Sequence, residues 1–364
     1  MEENIYKLAL PLLQGIGIVN TKTLIAYAGS PKAVFELSEN ELAKICEVPL
    51  QKVKKFNRKA ALTRAEEEIK FMEANDVQSH YYQDANYPVA LRFCADSPIV
   101  LYSKGNVNFN RQNIAIVGTR KATTYGIKIT KKFVEDLAPR GVQIVSGLAH
   151  GIDKTAHEAA LTNDLPTIAV LGHGLDLIYP AANKQLAKLM QETGGLVTEF
   201  MSKTSVGPEN FPQRNRIVAG LSEATVVVES PVTGGSLITA NLAFGYSREV
   251  FAFPGNIDRN NSTGCNNLIQ RDIAKLITSA EDMITALDWE ELDAENTAQA
   301  DLFEVHTVDE DRIITILKRE NRSTHIDVLI KETNMTASEL SLHLFNLEMR
   351  GSLQSFPGKM YQLA

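Results

Sequence analysis

A series of short β-branched runs, each followed by a turn, constrains this chain most. Residues 113–117 end at Gly118, 142–146 at Gly147, and 167–171 at Gly172. Residues 196–198, 225–228, 250–252 and 275–277 continue the series, with helix-like stretches between them. Strands that read as near-continuous apolar runs are covered by helices on both faces, and alternation with helices makes them parallel. The expectation is an α/β fold: a Rossmann-like, mostly parallel sheet core over residues 77–288. Ligands of such sheets sit beyond the carboxyl ends of the strands, where the strand order reverses. The glycine-bearing turns fall at those ends.

The flanks read differently. In residues 1–76, Gly15-Ile16-Gly17 separates two helix-like stretches, and residues 42–48 with 53–61 look like a degenerate second copy. This is the pattern of a helix-hairpin-helix (SAM-like) domain. Two roles suit it: hairpin amides on DNA phosphates, or docking of another protein. Residues 289–311 form an acidic linker, rich in Asp, Glu and Ala. In residues 312–364, stretches 311–319, 325–333 and 336–350 have helical amphipathic spacing, and 351–363 read as a two-stranded wing turning at Pro357-Gly358. That is a winged-helix domain. Its third helix sets Glu339 and Glu348 against Arg350, with His343 between. A DNA-reading helix needs donors, so protein contact or a structural role is expected of it, with DNA binding as the lesser alternative.

The net charge of −7 opposes a polyanion ligand only if it is evenly spread. It is not. Between Lys275 and Arg312 there is no Lys or Arg but 12 Asp/Glu, whereas residues 1–275 hold 30 basic against 27 acidic residues. A local anion site is therefore compatible with the charge. Cys46, Cys94 and Cys265 are far apart and form no CxxC pair, which fits a reducing compartment. The acidic start lacks the apolar stretch of a signal peptide, and no apolar run reaches membrane-spanning length. A cytoplasmic location is expected, with no membrane partner.

The segment Phe211-Pro212-Gln213-Arg214-Asn215-Arg216 carries the chemistry. An aromatic ring beside an amide and two guanidiniums, just before an apolar helix-like run, suits a polyanion with flat bases. Four glycine loops accompany it. Gly118-Thr119-Arg120 follows a strand and opens a helix, so Arg120 can fork onto a phosphate. Gly147 and Gly151 flank a strand-to-helix turn and form an amide nest. His150, Asp153 and His157 share a helical face there. Capping by Asp153 and packing by the histidines outweigh metal ligation, and no metal is expected. Around Gly172-His173-Gly174, Lys184 can meet a phosphate. Gly234-Gly235-Ser236, with Thr239, is a second amide nest with hydroxyls.

This last loop resembles the phosphate loop of nucleotide phosphoribohydrolases of the lysine-decarboxylase-like group. Those enzymes carry a glutamate after the glycines. Here no Asp or Glu occurs from Ser230 through Arg248, and Asn241 stands in that place. A phosphate cradle without catalytic residues or cofactor is expected. An enzyme on a small nucleotide is the alternative.

In order along the chain, Gly118-Thr119-Arg120, residues 146–153, Tyr179-Pro180 with Asn183, residues 211–221, and 234–240 through Arg248-Glu249-Val250 to Pro254-Gly255 resemble the DNA-processing protein A (DprA/Smf) family. The resemblance implies a non-enzymatic protein that protects incoming single-stranded DNA and helps load the RecA recombinase during natural transformation, as a homodimer. It implies that Arg120 contacts the strand, that Phe211 lies near the bases, and that Arg214, Asn215 and Arg216 line the pocket. It further implies that Leu268, Ile269 and Leu276 serve dimer or RecA contacts. The helical N-terminus and winged C-terminus are common additions in the family. Thr119 replaces the family's Ser or Ala, and Arg271-Asp272-Ile273-Ala274 replaces a Gly-Ala-like stretch.

Overall fold

The computed structural model describes residues 2–13, 16–54, 57–289, 308–320, 324–333, 335–349, 353–356 and 359–363. Gly15 of the first hairpin, most of the acidic stretch (290–307), Arg350 and the Pro357-Gly358 turn lie outside them. Two compact units separate at Glu290/Glu291.

The first unit holds a nine-stranded sheet: β1 (Val77–Tyr81), β2 (Val100–Gly105), β3 (Asn113–Val117), β4 (Gln143–Ser146), β5 (Thr167–Val170), β6 (Gly195–Thr198), β7 (Ala224–Val227), β8 (Glu249–Ala252) and β9 (Lys275–Leu276). Their order is β1-β2-β6-β5-β4-β3-β7-β8-β9. β2 runs antiparallel to β1 and β6, and every other pairing is parallel. β3 pairs with β4 on one side (Ala115 opposite Val145) and β7 on the other (Ile116 opposite Val226). The chain thus winds outward in both directions from β3, and the reversal lies at its two flanks.

The continuous apolar runs are explained by burial on both faces. Ile114, Ile116, Ile144 and Val226 pack beneath the helices Thr124–Leu137 and Ile152–Thr162. Ala115, Val117, Val145 and Val227 pack beneath Asn210–Leu221 and Gly235–Gly245. The apolar pattern does not single out β1. Polar residues interrupt β1, whose His80 bonds to Ser103 across the pair at 2.8 Å.

The N-terminal helices share a core with this sheet. Leu8, Leu24 and Leu42 belong to one cluster with Tyr102, Ala169 and Leu196. A buried carboxylate fixes the contact: Glu68 accepts from Ser202 N at 2.9 Å, Ser202 Oγ at 2.6 Å and Arg64 Nη2 at 2.8 Å. The helix expected over 53–61 is two elements, Leu50–Val53 and Arg58–Asn75. Asn57 Oδ1 accepts from Ala60 N, so it caps a new helix instead of continuing the old one.

The second unit has helices Val308–Glu320, Ile326–Thr333 and Ala337–Met349 and a three-stranded sheet, with Leu353–Phe356 and Met360–Leu363 pairing antiparallel. Ile313, Leu317, Leu329, Leu344 and Leu353 form its core. The acids of the third helix are spent internally. Glu339 accepts from Thr336 N at the helix start, and Glu348 accepts from Ser355 Oγ.

Candidate functional site

The loop after β3 is held by a residue far away in sequence. Thr119 N donates to Glu229 O at 2.7 Å, and the Glu229 carboxylate accepts from Thr123 N (2.9 Å) and Thr123 Oγ1 (2.6 Å). Thr123 in turn caps the helix Thr124–Leu137. Glycine is required at 118, where a Cβ would stand 2.5 Å from Ile152. The next loop touches this one: Ile152 N donates to Thr119 O at 3.2 Å, and Gly151, at φ +78°, has no room for a side chain. Arg120 is left exposed, its guanidinium 5.2 Å from the Phe211 ring centroid. That spacing is within cation–π range.

Beneath Phe211 lies a second, buried guanidinium. Arg214 is 5 % exposed and donates through Nη1 to Gly147 O and Val170 O. Its Nε donates to Asn215 Oδ1 at 3.0 Å, and its own guanidinium sits 5.9 Å from the Phe211 ring. Burial, aided by Arg120 and opposed by Asp153, brings the Arg214 pKa down to about 10, so the group remains a cation at neutral pH. Asp153 is the matching buried acid. Burial raises its pKa, while Arg214 and the amides of Ala149 and Gly147 oppose the rise. Those two amides donate to Asp153 Oδ2 at 3.4 and 3.1 Å.

The third wall is the start of the helix Gly235–Gly245. Its N-cap, Gly234, offers no side chain to the first amides, and such amides favour an anion. Ser236 Oγ donates inward to Ser230 Oγ at 2.8 Å. Asn215 Nδ2 reaches Gly235 O at 3.4 Å and ties this wall to the Phe211 helix.

Together these elements enclose a cleft of about 570 Å³ at the carboxyl ends of β3, β4 and β7. It brings together Gly118, Thr119, Arg120, Gly147, Phe211, Arg214, Asn215, Gly234, Gly235, Ser236 and Thr239. Lys121, a second exposed cation on the same loop, also lines it. Lys184 and Arg216 do not. Lys184 is exposed in the segment after β5, outside the cleft lining. Arg216 is buried, paired with Glu199 and donating to Asp96 O. Residues two apart on a helix point away from each other, so Arg214 and Arg216 cannot share one pocket. Phe211 and its neighbours lie inside the first turns of Asn210–Leu221, not before it; Pro212 fits there because those amides need no intrahelical partner.

His150 precedes the helix Ile152–Thr162 and is exposed, while His157 is buried with Nδ1 2.7 Å from Thr167 Oγ1. Asn241 is exposed and donates to Leu237 O, away from the cleft. Leu268 is 4 % exposed in the core beside Cys265, so of the three suggested contact residues Ile269 is half-buried and Leu276 exposed.

Residues 78–288 match the family model for DNA recombination-mediator protein A, and residues 295–359 match the DprA winged helix domain. The chain is 31% identical over 401 residues to Protein Smf of Synechocystis sp., across 99% of this chain and 98% of that protein. It is 41% identical over 207 residues to DNA processing protein DprA of Streptococcus pneumoniae, across 57% of this chain and 73% of that one. The X-ray structure of the Streptococcus pneumoniae DNA processing protein A superposes with a TM-score of 0.65 at 33% identity, covering 80% of this chain and 99% of that chain. A Helicobacter pylori structure, concerned with the single-stranded DNA binding mode of that protein, gives a TM-score of 0.52 at 29% identity, covering 58% and 95%.

Proposed function

The chain belongs to the DNA recombination-mediator protein A family, and from that premise we propose that it binds single-stranded DNA in the cleft between β3, β4 and β7. The observation that carries this reading is the placement of Arg120 over Phe211, 5.2 Å apart, on the rim of a cleft walled by uncapped helix amides. The exposed cations Arg120 and Lys121 meet phosphates, and the exposed part of the half-buried Phe211 ring meets a base. Arg214 acts from below, as a fixed positive charge and as the support of the ring. An unpaired base has a π-face to offer and a duplex base does not, so single strands are preferred.

The role is non-enzymatic. Asp153 is the one carboxylate lining the cleft among the described residues, and backbone amides hold it. Incubation with nucleoside monophosphates is expected to release no free base. Within the same reading, the protein acts in the cytoplasm as a homodimer that passes the strand to the RecA recombinase in natural transformation. The exposed Leu276 on edge strand β9, with Ile269 beside it, is the surface proposed for those contacts.

Phe211→Ala is expected to weaken binding of a single-stranded oligonucleotide by about 1–3 kcal/mol, the range for loss of one stacked base. Phe211→Trp is expected to retain affinity, because the larger ring still offers a face. Fluorescence anisotropy on the two variants checks this, and equal affinity of Phe211→Ala and wild type removes the ring from the site.

A further inference from the structure

Beside the cleft, at the same edge of the sheet, lies a second cavity of about 830 Å³. It opens where β8 ends in Phe253-Pro254-Gly255 and the chain turns into the helix Asn260–Gln270. The two cavities share a wall. The loop bearing Arg120 and Lys121 lines the first, and its continuation, Thr123 to Tyr125, lines the second. Asn261 Nδ2 donates to Lys121 O at 3.1 Å, and Asn261 O accepts from Ser230 N at 2.7 Å. The ridge between the cavities is thereby pinned from the second side.

The lining of this second cavity has the chemistry of a nucleotide site. Tyr125 is 48 % exposed, and its hydroxyl donates to Pro254 O at 2.9 Å, which fixes the ring at the wall. Asn256 and Asn260 bring side-chain amides, able to donate to and accept from base edges. Arg259 is exposed and stands as the N-cap of Asn260–Gln270, a helix with no side-chain cap. A guanidinium and open helix amides at one point suit a phosphate. Glu229 supplies the lining's carboxylate, and both its oxygens are engaged by Thr123. Asp258, exposed beside Arg259, is the nearest acid in sequence.

We propose that this cavity is a second nucleotide subsite, occupied by the part of a single DNA strand that leaves the first cleft across the Arg120–Lys121 ridge, with a base against Tyr125 and a phosphate at Arg259. This rests on single-strand binding in the first cleft. It lengthens the path of the strand without any new element, since both cavities are built on Glu229, Asn261 and the loop after β3.

Strand length separates the two subsites. Oligothymidylates of about four and about sixteen nucleotides are titrated against wild type, Arg259→Ala, Tyr125→Ala and Tyr125→Phe. The long strand is expected to bind Arg259→Ala and Tyr125→Ala roughly five- to hundredfold more weakly than wild type, with the short strand unaffected. Tyr125→Phe keeps the ring but loses the bond to Pro254 O, and is expected to lose less long-strand affinity than Tyr125→Ala. Arg120→Ala weakens both lengths, which reports on the first cleft separately. Unchanged long-strand affinity in both alanine variants overturns the second subsite and leaves the first intact. Equal loss for both lengths overturns it too, because the effect then passes through the first cleft. A mononucleotide that binds wild type but not Arg259→Ala, with long-strand affinity unchanged, assigns the cavity to a free nucleotide instead. Failure of wild type to bind either strand overturns both assignments.

Discussion

Arg214→Ala is expected to lower the free energy of unfolding by about 3–5 kcal/mol, the cost of removing one partner from a buried charge arrangement. Three consequences add up. The carbonyls of Gly147 and Val170 lose their donor. The buried Asp153 loses the cation that favours its charged form. The floor beneath Phe211 collapses into the space vacated. Arg214→Lys restores the charge but not the planar fork that reaches two carbonyls, so it recovers only part of the loss. The single tryptophan, Trp289, donates to Glu223 Oε1 and stacks near Arg140 in the same unit. Urea unfolding followed by its fluorescence reads the effect. A shift below about 1 kcal/mol, the scale of an exposed side chain, contradicts a structural role for this guanidinium.

Gly151→Ala is expected to damage both fold and binding. Gly151 sits at φ +78° and ψ −125°, a region that costs other residues about 1–3 kcal/mol. Its Cβ would also stand 2.2 Å from Thr119 O and 2.7 Å from the Arg120 carbonyl carbon. Backbone atoms, not a flexible side chain, must then move, adding about 1–3 kcal/mol. Because the displaced atoms carry Arg120, single-strand affinity falls with stability. Gly141→Ala is the control. It too has positive φ, +60°, but nothing lies within 4 Å of its added Cβ. It is expected to lose about 1–2 kcal/mol of stability, the left-handed penalty alone, with affinity unchanged. Equal affinity for Gly151→Ala and Gly141→Ala would contradict the back-to-back packing of the two loops.

Much of this arrangement is legible in the sequence. Residues 113–117 and 225–228 read as strands because both their faces are apolar, and both faces are buried. The loops carrying Gly118, Gly147 and Gly234 fall at the carboxyl ends because β-branched runs stop there. What local spacing does not supply is direction. Arg214 and Arg216 look equivalent in the segment Gln213-Arg214-Asn215-Arg216, yet one supports the cleft and the other pairs with Glu199. A helical reading of 210–221 separates them by face; an irregular entrance to the helix does not. Glu229 reads only as the end of a strand. Its partner Thr123 is 106 positions away, a distance over which periodicity carries no information. Leu268 has the residue type of an interaction surface but the helical position of a core residue, packed beside Cys265 and Ala274. β1 is obscured by polar residues that satisfy one another across the pair.

The most direct test is the salt dependence of single-stranded DNA binding by wild type and Arg120→Ala, with duplex of the same sequence alongside. Arg120 is exposed, so its removal is expected to leave the unfolding midpoint in place. Wild type is expected to prefer the single strand. The slope of log K on log salt is expected to flatten in Arg120→Ala by about 0.7 for each phosphate that is no longer neutralised. A slope and affinity identical to wild type, or equal binding of duplex and single strand, would contradict a cleft that holds an unpaired strand between Arg120 and Phe211.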